Sequence, residues 1–298
     1  MPTTYHYTAR PPPGRFFIPR PRPRPAPSSR PGLTLMGNDG NLTESTIRGF
    51  KMKKRFTKFF SVDSPKAIKA DKFGYLNGIN YMAQERTAGV GNLCPDSSAG
   101  CRSLCLGKYS GQAAIVSDLE NGTNPTRKSR IAKARWFMND RKAFMNEMTD
   151  HVQAMIRKAD RENKKLAIRP NGSTDVAFEY IKTDNGQSLP MRFPNIQFID
   201  YTKSLQRVLN PNRPSNYHLT FSLSETNEAK AKLALTAGFN VAVVFGDGWF
   251  PKTFLDHKVI DGLTHDLRHL DPSPVIVGLE PKGSKAKNDK TGFVVRGY

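Results

Sequence analysis

An α/β fold on a parallel sheet, open or curled into a partial, distorted TIM-like β/α barrel, is the class that this chain of 298 residues predicts. Two observations predict it. From residue 165 onward, short apolar runs alternate with helical patterns, and the apolar runs end in polar loops. Such alternation needs crossover connections and so favours parallel pairing. A third observation sets the site: all three cysteines lie in one loop, "GNLCPDSSAGCRSLCLGKYSGQ", residues 91–112, ahead of the first long helical pattern.

The elements follow in chain order. "ARPPPGRFFIPRPRPRPAPSSRPG" has proline at nearly every second position and no acid, so neither a ladder nor a helix interior forms there. Residues 1–32 are expected to be a disordered basic arm, and residues 33–298 a single α/β domain. In "KMKKRFTKFF", Phe56, Phe59 and Phe60 read as an edge strand packed on a core, with stacking on nucleic acid as the other use of such a mixture. Asn124 as a cap and Pro125 at the first helical position open one long amphipathic helix running through residue 163. Its core stripe is Phe137, Phe144, Met148, Val152 and Met155.

Next come a strand and polar loop, "KLAIRPNGSTD", and a weak helix around "VAFEYI". The theme recurs as strand "NIQFIDYTK", helical turn "SLQRVL", strand "NYHLTFSLSE", helix "NEAKAKLALTAG" stopped by Gly238, and strand "FNVAVVFG". "VIDG", "PVIVGLEP" and "GFVVRG" are further strand candidates.

Cys94, Cys101 and Cys105 sit among Gly, Pro, Asp and Ser, which is loop chemistry rather than core chemistry. Their odd number, and a chain long enough to bury a core without staples, argue against a structural disulfide. Thiols clustered in a loop point to a metal or cluster. A closed zinc site needs a fourth ligand, such as His218 or a C-terminal histidine, and no spacing points to one. A 4Fe-4S cubane uses three thiolates and leaves one iron open. The cluster is therefore preferred and zinc is the alternative. A thiol nucleophile, Cys101 or Cys105 with a base such as His218, is a third reading.

The formal charge of +20 is unevenly spread. Residues 1–60 carry twelve Lys or Arg against two acids, and residues 127–169 thirteen against five, whereas residues 170–280 carry ten against twelve. Basic blocks attract polyanions through counterion release, so segments 1–60 and 127–169 make nucleic acid the natural partner; a merely solvated basic surface is the other reading. No apolar stretch is long enough for a signal peptide or membrane span, so the expected location is the cytoplasm. No phosphate-cradling Gly-rich loop, HExxH motif or Ser-His-Asp order supports nucleotide hydrolysis or peptidase chemistry.

In parallel α/β folds the site lies at the carboxyl ends of the strands. Those ends carry Arg169, Asn171, Ser173 and Asp175, then Asp200, Tyr201 and Lys203, then Ser222, Ser224 and Glu225. They are expected to converge on one mouth, which the cysteine loop shares.

The succession of cysteine loop, long helix, "IRPNGSTD", "FIDYTKS" and "YHLTFSLSE" resembles a bacteriophage and plasmid-borne family called gene product eighty-eight, over roughly residues 45–295, with "DYTK" its most specific piece. More distantly it resembles the radical S-adenosylmethionine barrel enzymes, although their cysteine gaps are three and two residues rather than six and three. The second resemblance implies a 4Fe-4S cluster on Cys94, Cys101 and Cys105, S-adenosylmethionine at its open iron, an external reductant, and strand-end residues, above all Asn171, Asp175, Lys203 and Glu225, orienting cofactor and substrate. The alternative is a non-enzymatic nucleic-acid-binding protein with a structural metal loop.

Overall fold

The computed structural model describes residues 55–298. The predicted arm and its boundary near Leu33 lie outside the described residues.

Eight short strands form one sheet: β1 (Tyr75–Ile79), β2 (Lys165–Arg169), β3 (Gln197–Thr202), β4 (Tyr217–Ser222), β5 (Val241–Val244), β6 (Thr253–Phe254), β7 (His257–Asp261) and β8 (Ile276–Leu279). Their order is β1-β2-β3-β4-β5-β8-β7-β6. Every pairing is parallel except the β6–β7 hairpin. The expected parallel sheet is present, with β1 to β5 neighbouring one another in chain order as in a barrel. It does not close. The order reverses after β5, and the β6–β7 hairpin forms one edge while β1 forms the other. "GFVVRG" supplies only an isolated bridge, Val295 to Phe245, rather than a strand.

Strand alternation divides the buried residues between two faces. On one face Leu76, Leu166, Ile168, Phe198, Leu219, Phe221, Val241 and Ile276 join the main core. The helices that bury them are α4 (Pro125–Asn139), α5 (Arg141–Arg161) and α8 (Glu228–Thr236). On the other face Ala167 and Ile199 pack with Ala70 of α1 (Pro65–Asp71) and with Leu267. That second face is therefore covered by a short helix and a loop rather than by crossover helices.

Three local expectations are corrected. The long helix is two helices, broken at Asp140, which caps the C-terminus of α4 and whose carboxylate accepts the Ala143 N–H at the start of α5. Asn139-Asp140 favours capping over helix interior, because a short polar side chain competes for backbone donors. The expected core stripe, Phe137 to Met155, is buried throughout. "VAFEYI" is a turn and not a helix, because Glu179 is drawn inward to Arg207. The third is β1: no strand is expected over Tyr75–Ile79, because Asn77-Gly78 reads as a turn signal.

Phe59 and Phe60 are buried, and Ser61 bridges antiparallel to Ile79 on the edge strand. Glu147 of α5 accepts the N–H groups of both Arg55 and Phe56, at 2.8 Å each. The aromatic run thus packs on the core as irregular chain and not as the expected edge strand, with only the Ser61 bridge reaching the sheet.

Candidate functional site at the strand ends

The cysteine loop is held together by its own side chains. Asn92 Oδ1 accepts the Cys94 N–H at 2.8 Å, and Ser98 caps α2 (Ala99–Ser103) by accepting the Cys101 N–H at 3.1 Å. Cys105 is the residue that precedes α3 (Leu106–Tyr109). All three cysteines are free. Consecutive turns on Asn and Ser account for this compact shape, since both side chains bond the backbone locally.

The loop sits on the expected rim. Glu225, just beyond β4, accepts Ser98 Oγ–H with one carboxylate oxygen and the Gly100 N–H with the other, both at 2.7 Å. Asp175, beyond β2, donates its N–H to Leu93 O at 2.8 Å. Cys94 Sγ lies 3.9 Å from Ser173 O and accepts the Glu85 N–H at 3.3 Å. The approach is close enough to require glycine twice. A Cβ on Gly100 would stand 2.8 Å from Glu225 Oε2, and one on Gly107 would stand 2.6 Å from Ser173 Cβ.

The sulfurs feel one another. Burial pushes the Cys94 thiol up to about 12, and the neighbouring Cys105, Asp175 and Cys101 push in the same direction. Burial pushes Cys105 up to about 11, with Cys101 adding to the shift. Arg130 of α4, which no motif singled out, opposes it: its guanidinium donates to Gly107 O and favours a thiolate at Cys105. Among the described residues no group of three or more His, Cys, Asp or Glu is assembled closely enough to hold a metal ion. The thiols are thus neighbours with suitable donor chemistry, and gathering them round a metal requires the loop to tighten.

The other strand-end residues fall into three sets. Asn171 and Asp200 bond each other: Asp200 accepts the Asn171 N–H at 2.9 Å and its Nδ2–H at 2.8 Å, and also takes the Tyr217 hydroxyl. Burial raises the Asp200 carboxyl to about 6 against these donors. Arg169 pairs with buried Asp266 at 2.6 Å and lies over the Tyr201 ring, whose hydroxyl donates to the same carboxylate at 3.0 Å. Asp175 accepts the Lys203 N–H at 2.9 Å and pairs with Arg207, which also grips Glu179 through two bonds of 2.7 and 2.9 Å. Lys203 Nζ donates to Ser222 Oγ at 2.8 Å, while Asn227 Oδ1 accepts the Ser224 N–H at 2.7 Å.

Ser173, Asp175 and Glu225 therefore reach the cysteine loop directly. Asn171 and Asp200 are absorbed in holding the strand-end turn, and Arg169 and Tyr201 in anchoring the segment around Asp266. His218 is half-buried on β4 with Thr220 Oγ1 at 3.5 Å, and no hydrogen bond among the described residues joins it to a cysteine. Burial, His269, Arg213 and Arg268 pull its pKa down to about 4.

Beside the loop, at the ends of β5, β7 and β8, lies a cavity of about 140 Å³. Leu104, Leu106, Val244, Leu279 and Phe293 form its apolar wall, with Asp266 at its edge.

The order of these parts along the chain is that of a known family: the family model described as Gene product 88 matches residues 56–297. The chain belongs to this family. Membership covers the whole described sheet and the cysteine loop. No curated protein and no solved structure matches the chain. The more distant resemblance to radical S-adenosylmethionine enzymes finds no support in these comparisons.

Three of the thirteen cations between residues 127 and 169, Arg127, Lys133 and Arg169, are buried. Arg127 donates to the carbonyls of Ala113, Gly122, Lys108 and Leu119, clamping the stretch after the cysteines. Lys133 is buried against Phe59 O, and burial lowers its pKa to about 8. Lys128, Arg135, Arg141, Lys142, Arg157, Arg161 and Lys165 are exposed.

Proposed function

We propose that this member of the Gene product 88 family is a thiolate-ligated iron-sulfur protein that works at the mouth of its parallel sheet. One observation carries the reading: three free thiols, close enough to shift one another's ionisation, are docked by Glu225 and Ser173 at the carboxyl ends of the strands. Cys94, Cys101 and Cys105 would hold the cluster. A cluster held by three thiolates keeps one iron open and supplies one-electron chemistry, with S-adenosylmethionine the co-substrate that the radical reading assigns to it.

The chain's own residues do the rest. Cys94 and Cys105, with their raised pKa values, stay protonated until a cation displaces their protons, so loading couples to proton release. The Glu85 N–H is aimed at Cys94 Sγ, and Arg130 favours charge at Cys105. Glu225 holds α2 in place.

Anaerobic reconstitution with iron and sulfide should give a brown protein with thiolate-to-iron charge-transfer absorption that Cys101→Ala loses. Stoichiometric zinc in a colourless protein would reject the cluster and favour the structural-metal alternative.

A further inference from the structure

Lys203 forms no ion pair among the described residues, although the Asp175 carboxylate feels its charge at longer range. The residue follows β3 and is 9% exposed. Its Nζ donates to Ser222 Oγ at 2.8 Å and lies 5.2 Å from the centre of the Phe293 ring, which also walls the cavity of about 140 Å³. The Asp175 carboxylate takes the Lys203 backbone N–H with one oxygen, and its other oxygen is engaged by Arg207. Among the described residues no carboxylate comes within ion-pair distance of Lys203 Nζ; the other buried cations at these strand ends, Arg169 and Arg207, both have one.

A buried ammonium with only a hydroxyl and a ring face for partners is costly, and such a group is retained where an anion arrives to pair with it. We propose that Lys203 anchors the carboxylate of a small organic acid, with Ser222 as its hydroxyl partner and the Phe293 side of the cavity taking the apolar part of the same molecule. The class follows from charge and space. One ammonium balances one negative charge, and Asp175 and Glu225 on the same rim would oppose the second charge of a phosphate. The cavity of about 140 Å³ has room for a few carbon atoms against its Leu, Val and Phe walls, and Asp266 and Glu280, which also line it with Lys69 and Lys282, oppose a second negative charge there.

The inference rests on the mouth being the ligand-facing end of the sheet, but not on the thiols holding a cluster. The test uses the full chain with acetate and butyrate as probes, at ionic strength matched with chloride, and inorganic phosphate as the competing class. Thermal stability should rise saturably with the carboxylates, and more with butyrate than with acetate. Lys203→Met should weaken the apparent affinity by about tenfold, Ser222→Ala by a smaller factor, and Lys203→Arg should retain part of it. Cys101→Ser should leave the titration unchanged, which keeps this result separate from the iron analysis. Equal carboxylate stabilisation in wild type and in the folded Lys203→Met and Ser222→Ala variants would overturn the anchor. Lys203-dependent stabilisation by phosphate in place of carboxylate would overturn the class.

Discussion

The Glu225 carboxylate and the Gly100 backbone N–H, 125 residues apart, meet at 2.7 Å and fasten the cysteine helix to the end of β4. The second carboxylate oxygen takes Ser98 Oγ–H, so one side chain serves both the cap and the first turn of α2. Removing it leaves two donors without their acceptor.

Glu225→Ala should therefore destabilise the fold by about 1–3 kcal/mol, and the loss should be concentrated in the loop. Urea denaturation measures the total, and amide exchange at Gly100 and Cys101 locates it. Gly100→Ala, which brings a methyl to 2.8 Å from Glu225 Oε2, should mimic the effect. Unchanged exchange in both variants would mean that the loop is held by other contacts.

Thiol reactivity offers a second measurement. Burial holds Cys94 near 12 and Cys105 near 11, so in metal-free folded protein both should alkylate at pH 8 slower than a free thiol by on the order of 100-fold. Unfolding in urea should bring the three cysteines to one rate. Fast modification of Cys94 in the folded state would contradict the burial.

Arg207 sits between two carboxylates, buried Glu179 and half-buried Asp175. Truncating one partner of a buried pair strands the other charge, so Arg207→Met should cost about 3–5 kcal/mol by chemical denaturation. The double variant Arg207→Met with Glu179→Gln should recover part of that loss. Additive losses would show that the pair is not coupled.

Two kinds of group titrate with opposite sign in the mildly acidic range. Asp200 has its pKa raised from 3.8 to about 6, so between those values the folded state holds a proton that the unfolded state has released, and stability falls as pH rises. His218 has its pKa lowered from 6.5 to about 4, so between those values the unfolded state holds the extra proton, and stability rises with pH. The two contributions oppose each other between about pH 4 and 6. Replacing the histidine by His218→Gln should make the slope of stability against pH more negative there, by up to about 1.4 kcal/mol per pH unit. A slope equal to that of the wild type would show that His218 titrates alike in both states.

Nucleic-acid binding has a discriminating prediction as well. Arg127 and Lys133 spend their donors on backbone carbonyls, so replacing them should lower stability and leave the salt dependence of binding alone. Replacing exposed Arg157 and Arg161 together should flatten the salt slope by about 2 if that face meets phosphates. A slope near zero in the full-length chain would assign the charge to solubility.

Local pattern alone determined the stripe from Phe137 to Met155, the strands from Ala167 to Val244, the position of the thiol loop and the polar character of three strand ends. Each is a property of neighbouring residues: apolar spacing repeats with the element that buries it, and Gly, Pro, Asp and Ser mark where the chain turns. The break at Asp140 was legible in the same way, as an Asn-Asp pair inside a helical run. Composition was a poorer guide to charge, since it counts Arg127, Lys133 and Arg169 with the exposed cations although all three are buried. Only the tertiary structure decided that Arg169 would meet Asp266, that Glu225 would reach Gly100, and that Lys203 would end without a carboxylate. Those contacts join residues 97 and 125 positions apart or depend on which groups are left over after docking. The physical reason is that a charge's partner is set by which elements the burial of the core brings side by side, and nothing within a turn or a strand of that charge encodes it.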